Sequence, residues 1–233
     1  MRPKDLYVSV VRWVSRWLTR AGLIADHPPV RQNRIRHWLY SLPRIHNSVE
    51  IAELDVPWWT YGAIEYVDRW LAARPGPVQV FEFGAGASTL FLARRADHVY
   101  SVEHHRGFAE SIRPLIEETG KAELIVREPT RSATPEVGSH KPGYKDADFA
   151  DYVAAIDDVG GLFDLIVIDG RAREACLAAA IPHLKDGGVI VYDNTHRARY
   201  RRAIARSGLH ETSLPGLTPT LPYPDRTSIL ERC

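Results

Sequence analysis

The chain is short of cysteine, of net charge and of long apolar runs, and each shortage closes off a class of protein. Its 233 residues include two cysteines, Cys176 and Cys233, far apart in sequence. Such a pair builds neither a disulfide framework nor a metal knuckle, which suits a reducing cytoplasm. The formal net charge is only +1, so nothing overall points to a nucleic-acid partner or an anionic membrane. No apolar run approaches the length of a membrane span, and the N-terminus has no unbroken apolar core of the signal-peptide kind. The expectation is a cytoplasmic protein with one main domain and a single substantial core.

What is present is concentrated between Val78 and Glu103. The apolar, β-branched run Val78-Gln-Val-Phe-Glu-Phe stops at Gly84-Ala85-Gly86, and a helical pattern begins at once. A second short apolar strand, Val99-Tyr-Ser-Val-Glu103, ends on an acid 19 positions after Gly84. Glycines let the backbone turn sharply and approach a ligand, and an acid at the tip of the next strand can accept both ribose hydroxyls. A dinucleotide fingerprint needs a third glycine three residues after the second; Thr89 stands there instead. Glu82 beside the loop would repel a pyrophosphate but could receive an ammonium, directly or through water.

These residues resemble the class I S-adenosylmethionine-dependent methyltransferases, whose first motif is an acid-x-Gly-x-Gly loop. The resemblance implies that Glu82, Gly84, Ala85, Gly86 and Ser88 line the methionine end of the cofactor and that Glu103 holds its ribose. His104, the position after the ribose-binding acid, would border the adenine. A plain strand-to-helix turn is the alternative for the two glycines, and it leaves Glu103 without a role.

Around this motif the pattern alternates. Strands are predicted at 78–83, 99–103, 123–127, 164–168 and 188–192, with helices at about 57–73, 87–95, 106–119, 172–183 and 195–207. Two final strands, 209–214 and 227–230, read as a hairpin. Short continuous apolar strands suit a parallel sheet covered on both faces. The fold class is therefore α/β, a Rossmann-like, mostly parallel seven-stranded sheet with helices on both faces, occupying 56–233. Residues 1–55 read as a basic helical extension in which Leu6, Val10, Trp13, Val14, Trp17 and Leu18 recur at helical spacing. That stripe could pack on the main domain, pair two copies into a homodimer, lie on a membrane surface or cover the active site. Residues 128–159 interrupt the alternation, a length that marks a functional or disordered loop. They read as a substrate lid with His140, Lys141 and Tyr144 toward an acceptor, or as a loop without chemistry.

Polar residues gather again at the ends of two adjacent strands, in Ile168-Asp169-Gly-Arg171-Ala-Arg173 and Tyr192-Asp193-Asn194-Thr-His196-Arg197. Asp169, Asp193 and Asn194 offer hard oxygen ligands that suit Mg²⁺. The same three positions resemble the catechol O-methyltransferase-like enzymes, which implies a metal that aims a substrate hydroxyl at the methyl group. In the metal-free alternative Asp169 holds the acceptor or the methionine end, and Asp193 or His196 is the general base. Arg171 and Arg173 argue against a dication and suit an acidic acceptor. With Asn194, Arg197, His140 and Tyr144 they complete the expected substrate contacts.

The expected function is methyl transfer from S-adenosylmethionine to a small molecule at oxygen. Asn-Pro-Pro-Tyr, common in nucleic-acid and glutamine N-methyltransferases, is absent after the fourth strand. The rivals are an NAD-dependent oxidoreductase or epimerase and a catalytically idle cofactor-binding protein.

Overall fold

A computed structural model describes residues 27–44 and 54–232; the stripe Leu6–Leu18, with the dimer, membrane and lid readings attached to it, lies outside the described residues. In chain order come α1 (Arg34–Ser41), α2 (Tyr61–Ala72), β1 (Gln79–Phe83), α3 (Ala87–Ala93), β2 (His98–Glu103), α4 (Arg106–Glu118), β3 (Ala122–Val126), β4 (Thr130–Arg131), β5 (Ala147–Asp148), α5 (Ala150–Val159), β6 (Phe163–Ile168), α6 (Arg173–Ala180), β7 (Leu184–Tyr192), α7 (Ala198–Ser207), β8 (His210–Gly216) and β9 (Asp225–Glu231). The main sheet has seven strands in the order β3-β2-β1-β6-β7-β9-β8. All neighbours up to β7 run parallel, and β9 is antiparallel to both β7 and β8.

The sheet is buried on both faces because its strands carry apolar residues at both parities. Val80, Leu165, Val167, Val189 and Val191 pack with Trp59, Ile64 and Val67 on one face. Phe81, Phe83, Ile166, Ile168, Ile190 and Tyr192 pack with Tyr152, Ile156 and Leu177 on the other. Each such side chain contributes roughly 1.5–3 kcal/mol on leaving water. Polar stitches fix the entry ends of the strands: Asp164 accepts from the Gln79 amide at 2.9 Å and from Lys185 at 2.7 Å.

One feature differs from the sequence expectation. The 128–159 segment is not one loop. Phe149, Tyr152, Ala155 and Ile156 are fully buried, and α5 closes the crossover from β3 to β6. The short β4–β5 pair ties the base of what remains, about residues 132–146. Tyr152, Ala155, Ile156 and Val159 stand at helical spacing, a signal masked by the Pro- and Gly-rich stretch before them.

The chain order reverses on either side of β1, with β2 and β3 to one side and β6 and β7 to the other. In open α/β sheets this is the point where ligands bind, beyond the carboxyl ends of the strands.

Candidate functional site

Two adjoining clefts open there. The smaller, about 290 Å³, is lined by Trp58, the Gly84–Ser88 loop, Glu103 to His105, Phe108, Lys141, Tyr144 and Asp169 to Arg171. The larger, about 550 Å³, lies between residues 136–142, the 170–175 turn into α6, Asn194 and the start of α7. Lys141, Gly170 and Arg171 belong to both.

The first cleft is built by the motif. Gly84 has φ 105°, and a Cβ there would stand 2.7 Å from the Gly170 backbone, so β1 and β6 meet where only glycine fits. Gly86 is different. Its backbone is extended (φ 169°), and a Cβ would meet no protein atom within 4 Å. Neither strain nor packing asks for glycine at 86; a ligand approaching the loop would. Glu82 lies beneath the loop, fully buried, and its carboxylate accepts from Ser88, from Thr89 Oγ1 at 2.5 Å and from Ser101 Oγ at 2.7 Å. It is not among the residues that line the cleft, so its burial speaks against the direct form of the expected contact with a ligand ammonium and not against the one through water. Thr89, which at the sequence level counts only as a missing glycine, also takes the Gly86 amide on Oγ1 at 3.0 Å. Thr89 and Ser101 therefore hold the loop through Glu82, and nothing in their spacing announced it.

Burial pushes the Glu82 carboxyl up to about 7, against the pull of its three hydroxyls. The folded state thus holds the proton more tightly than the unfolded chain. Stability from this group is complete at acid pH and is lost as pH rises through about 7. Unfolding midpoints should fall between pH 5 and 8, and Glu82→Gln should flatten that slope; an unchanged slope in a denaturant series would remove Glu82 as its source.

At the tip of β2, Glu103 lines the cleft and is otherwise buried. One oxygen, Oε1, accepts the His105 amide at 2.8 Å and lies 2.8 Å from His104 Nδ1. His104 and Tyr144 line the same cleft, with Tyr144 Oη 3.4 Å from His104 Nε2. Tyr144 therefore lines the first cleft, whereas His140, with which the sequence grouped it, lines the larger one.

The second constellation departs further from expectation. Arg173, only 6% exposed, occupies the space between the two strand ends. It donates to Asp169 Oδ1 at 2.7 Å, to the carbonyls of Asp169, Gly170 and Asp193 at 2.8, 3.1 and 2.7 Å, and approaches Asp193 Oδ2 at 3.7 Å. Asp193 Oδ1 accepts from Thr227 at 2.7 Å and Oδ2 from the Asn194 amide at 2.6 Å, while the same amide nitrogen donates to Asp225 at 2.8 Å. That nitrogen lies between two carboxylates, so the Asn194 amide presents N–H where a cation would need oxygen. A guanidinium already stands between Asp169 and Asp193. The Mg²⁺ expectation on Asp169, Asp193 and Asn194 is therefore withdrawn: these residues do not fit a dication, and no cluster of three or more His, Cys, Asp or Glu suited to a metal occurs among the described residues.

Burial and then the nearby Asp169 push the Asp193 carboxyl up, to about 8, while Arg173 pulls it down. Asp169 is likewise raised by burial and held down first by Arg173 and then by Arg171. Asp193 lines neither cleft, whereas Asp169 lines the first. His196 also lines neither; it is exposed and bonds Asp225 at 2.6 Å through Nδ1.

Of the expected substrate contacts, His140, Arg171, Arg173, Asn194 and Arg197 do line the larger cleft. Ala172 (φ 46°) and Asn194 (φ 57°), both lining it, hold left-handed backbone rare for side-chain-bearing residues. Such conformations persist where surroundings enforce them, and they gather at binding sites. Glu174, Arg199 and Tyr200 complete the wall without any motif to mark them.

A model of the methyltransferase domain matches residues 81–195. No curated protein sequence matches the chain. The cofactor-bound structure of Rv0187 from MTB is similar at 20% identity with a TM-score of 0.57, covering 89% of this chain and 98% of that one. Precorrin-6y C5,15-methyltransferase from Geobacter metallireducens is similar at 13% identity and TM-score 0.51, covering 73% and 88%. An rRNA methylase from Streptococcus thermophilus is similar at 12% identity and TM-score 0.49, covering 72% and 95%. At such identities the likeness to solved structures is one of fold, and fold alone does not choose an acceptor.

Proposed function

We propose that this chain, whose residues 81–195 match a model of the methyltransferase domain, is a class I S-adenosylmethionine-dependent methyltransferase that transfers the cofactor's methyl group to a small-molecule acceptor at oxygen. The observation that carries the reading is the first cleft, where Gly86 is left open by its own protein and Glu103 closes the tip of the adjacent strand. Gly84, Ala85, Gly86 and Ser88 would face the methionine end and Glu103 the ribose, with His104 and Phe108 against the base. Glu82 positions this loop from below. When bound there, S-adenosylmethionine supplies a methyl group already activated on a sulfonium.

The protein's remaining tasks are to align an acceptor, to keep water away and to take a proton. The clefts meet at Gly170 and Arg171, which supports an acceptor in the larger one, whose size is that of a small-molecule site. Asp169 is the carboxylate at this junction. Raised by burial yet restrained by Arg173, it is suited to accept a hydroxyl proton. Asp193 holds Arg173 and lines neither cleft, while Asn194 ties Asp193 to Asp225 at the edge of the larger cleft. Asp169→Asn should lower kcat about 10²- to 10⁴-fold and leave cofactor-product binding intact; an unaltered kcat would move the base elsewhere. No described helix is long and apolar enough to cross a membrane.

The direct test is calorimetric titration with S-adenosylhomocysteine, with NAD in parallel. Binding of the first alone is expected, and Glu103→Ala should weaken it by roughly 1–3 kcal/mol through loss of charge-assisted ribose bonds. Binding of NAD instead, or undiminished affinity in the variant, would overturn the cofactor assignment.

A further inference from the structure

We infer that the acceptor is an anion, a small molecule carrying a carboxylate or phosphate, gripped in the larger cleft by Arg171, Arg197 and Arg199 with Lys141 at its rim. The word acceptor rests on the methyl-transfer reading; the anion site does not. The sequence pairs Arg171 with Arg173, and the structure separates them. Arg173 is consumed by Asp169 and Asp193, whereas Arg171 donates only a 3.3 Å bond to the Gly170 carbonyl, and its Nε is shut off from solvent with no hydrogen-bond partner. A guanidinium N–H without an acceptor is costly, and turning the side chain onto an oxyanion in the cleft would satisfy it.

The opposite wall repeats the pattern. The guanidinium carbons of Arg199, Arg197 and Arg173 stand 4.6, 5.8 and 5.8 Å from the centre of the Tyr200 ring. The π face of one ring thus gathers three like charges. Arg199 has a distant carboxylate, Glu174 at 4.0 Å, and Arg197 has no ion pair among the described residues. Against Lys141 and these arginines the cleft wall sets two carboxylates, Glu136 and Glu174, in a chain whose formal charge is +1. Positive charge is therefore focused into a concave site beside the methyl-transfer junction. Arginine's planar fork matches a carboxylate or phosphate with two parallel bonds. These residues line one cleft from the β6–α6 turn and the start of α7, with Arg197 exposed at its edge.

The test uses the full chain saturated with S-adenosylhomocysteine and titrated calorimetrically with glycerol 1-phosphate, lactate and glycerol. Either anion should bind and neutral glycerol should not; the tighter of the two anions identifies phosphate or carboxylate as the preferred group. Arg171→Ala and Arg197→Ala should each weaken that binding at least tenfold, and Arg113→Ala, on α4 and lining neither cleft, should not. The affinity of Arg197→Ala for S-adenosylhomocysteine reports that this variant is folded. Equal binding of glycerol, no binding of either anion, or full anion affinity in both cleft variants would overturn the inference. Anion binding by a chain that ignores S-adenosylhomocysteine would keep the anion site and reject the cofactor reading.

Discussion

Arg173→Met is expected to be the most damaging single substitution at the site, lowering the free energy of unfolding by about 3–5 kcal/mol. The guanidinium contributes through geometry as much as charge. It bonds Asp169 through its side chain and backbone, and it ties the carbonyls of Gly170 and Asp193, so it pins the ends of β6 and β7 together. Removing it leaves Asp169 and Asp193 facing each other in a buried space, where both resist ionisation. Methionine keeps much of the volume, so the loss reports the charge and hydrogen bonds rather than a cavity. Lysine should fail almost as badly, because one ammonium cannot point at four acceptors in these directions. Adding Asp193→Asn to the methionine variant should recover part of the loss, since one of the stranded carboxylates is then neutral. Urea denaturation at neutral pH checks all three, and a loss under 1 kcal/mol for Arg173→Met would show that the strand ends are held otherwise. Chelators and added Mg²⁺ should change neither stability nor turnover, because the cation between these acids is part of the chain.

The two glycines of the loop should separate cleanly. Gly84→Ala places a methyl 2.7 Å from the Gly170 backbone at a φ of 105°, and backbone strain plus overpacking should cost roughly 2–4 kcal/mol. Gly86→Ala puts its methyl in open space on an extended backbone, so its unfolding midpoint should match the parent. Its affinity for S-adenosylhomocysteine should nevertheless fall at least tenfold, since the methyl would occupy the room a ligand needs. If Gly86→Ala binds as well as the parent, the loop does not cradle a cofactor, and Gly86 is merely tolerated. If both variants unfold alike, the division of labour between packing and binding is wrong.

The readable parts of the chain were those in which local pattern and fold agree. The run from Val78 to Phe83, the loop Gly84-Ala85-Gly86 and the acid Glu103 announced a strand, a turn and the tip of the next strand, because one strand end and the next must meet at the sheet's switch point whatever surrounds them. The terminal hairpin was legible because a Pro-rich stretch separates two short runs of strand-forming residues. The α5 helix was hidden, since its helical spacing begins only after a long run of turn-forming residues, and nothing local says where the loop stops. Glu82 looked like a ligand contact because motifs record proximity along the chain. Whether its carboxylate faces a cleft or three hydroxyls depends on Ser101 from the neighbouring strand, 19 residues away.

By itself the sequence determined the sheet of alternating strands and helices, the loop that bounds the smaller cleft and the oxygen-rich ends of two neighbouring strands. Those depend on periodicity and on glycine's backbone freedom, which are properties of short segments. Only the tertiary structure decided how the charges at those ends are spent. Arg171 and Arg173 are two residues apart and chemically identical, yet one turns inward to neutralise Asp169 and Asp193 while the other is left with an unmet donor at the mouth of a cationic cleft. That difference depends on which side of a tight turn each side chain leaves, and on Thr227, Asp225 and Tyr200 brought in from later in the chain. The same arrangement replaced an expected metal with a guanidinium. Hard oxygen ligands can be counted in a sequence, but whether the space between them is open is settled by packing.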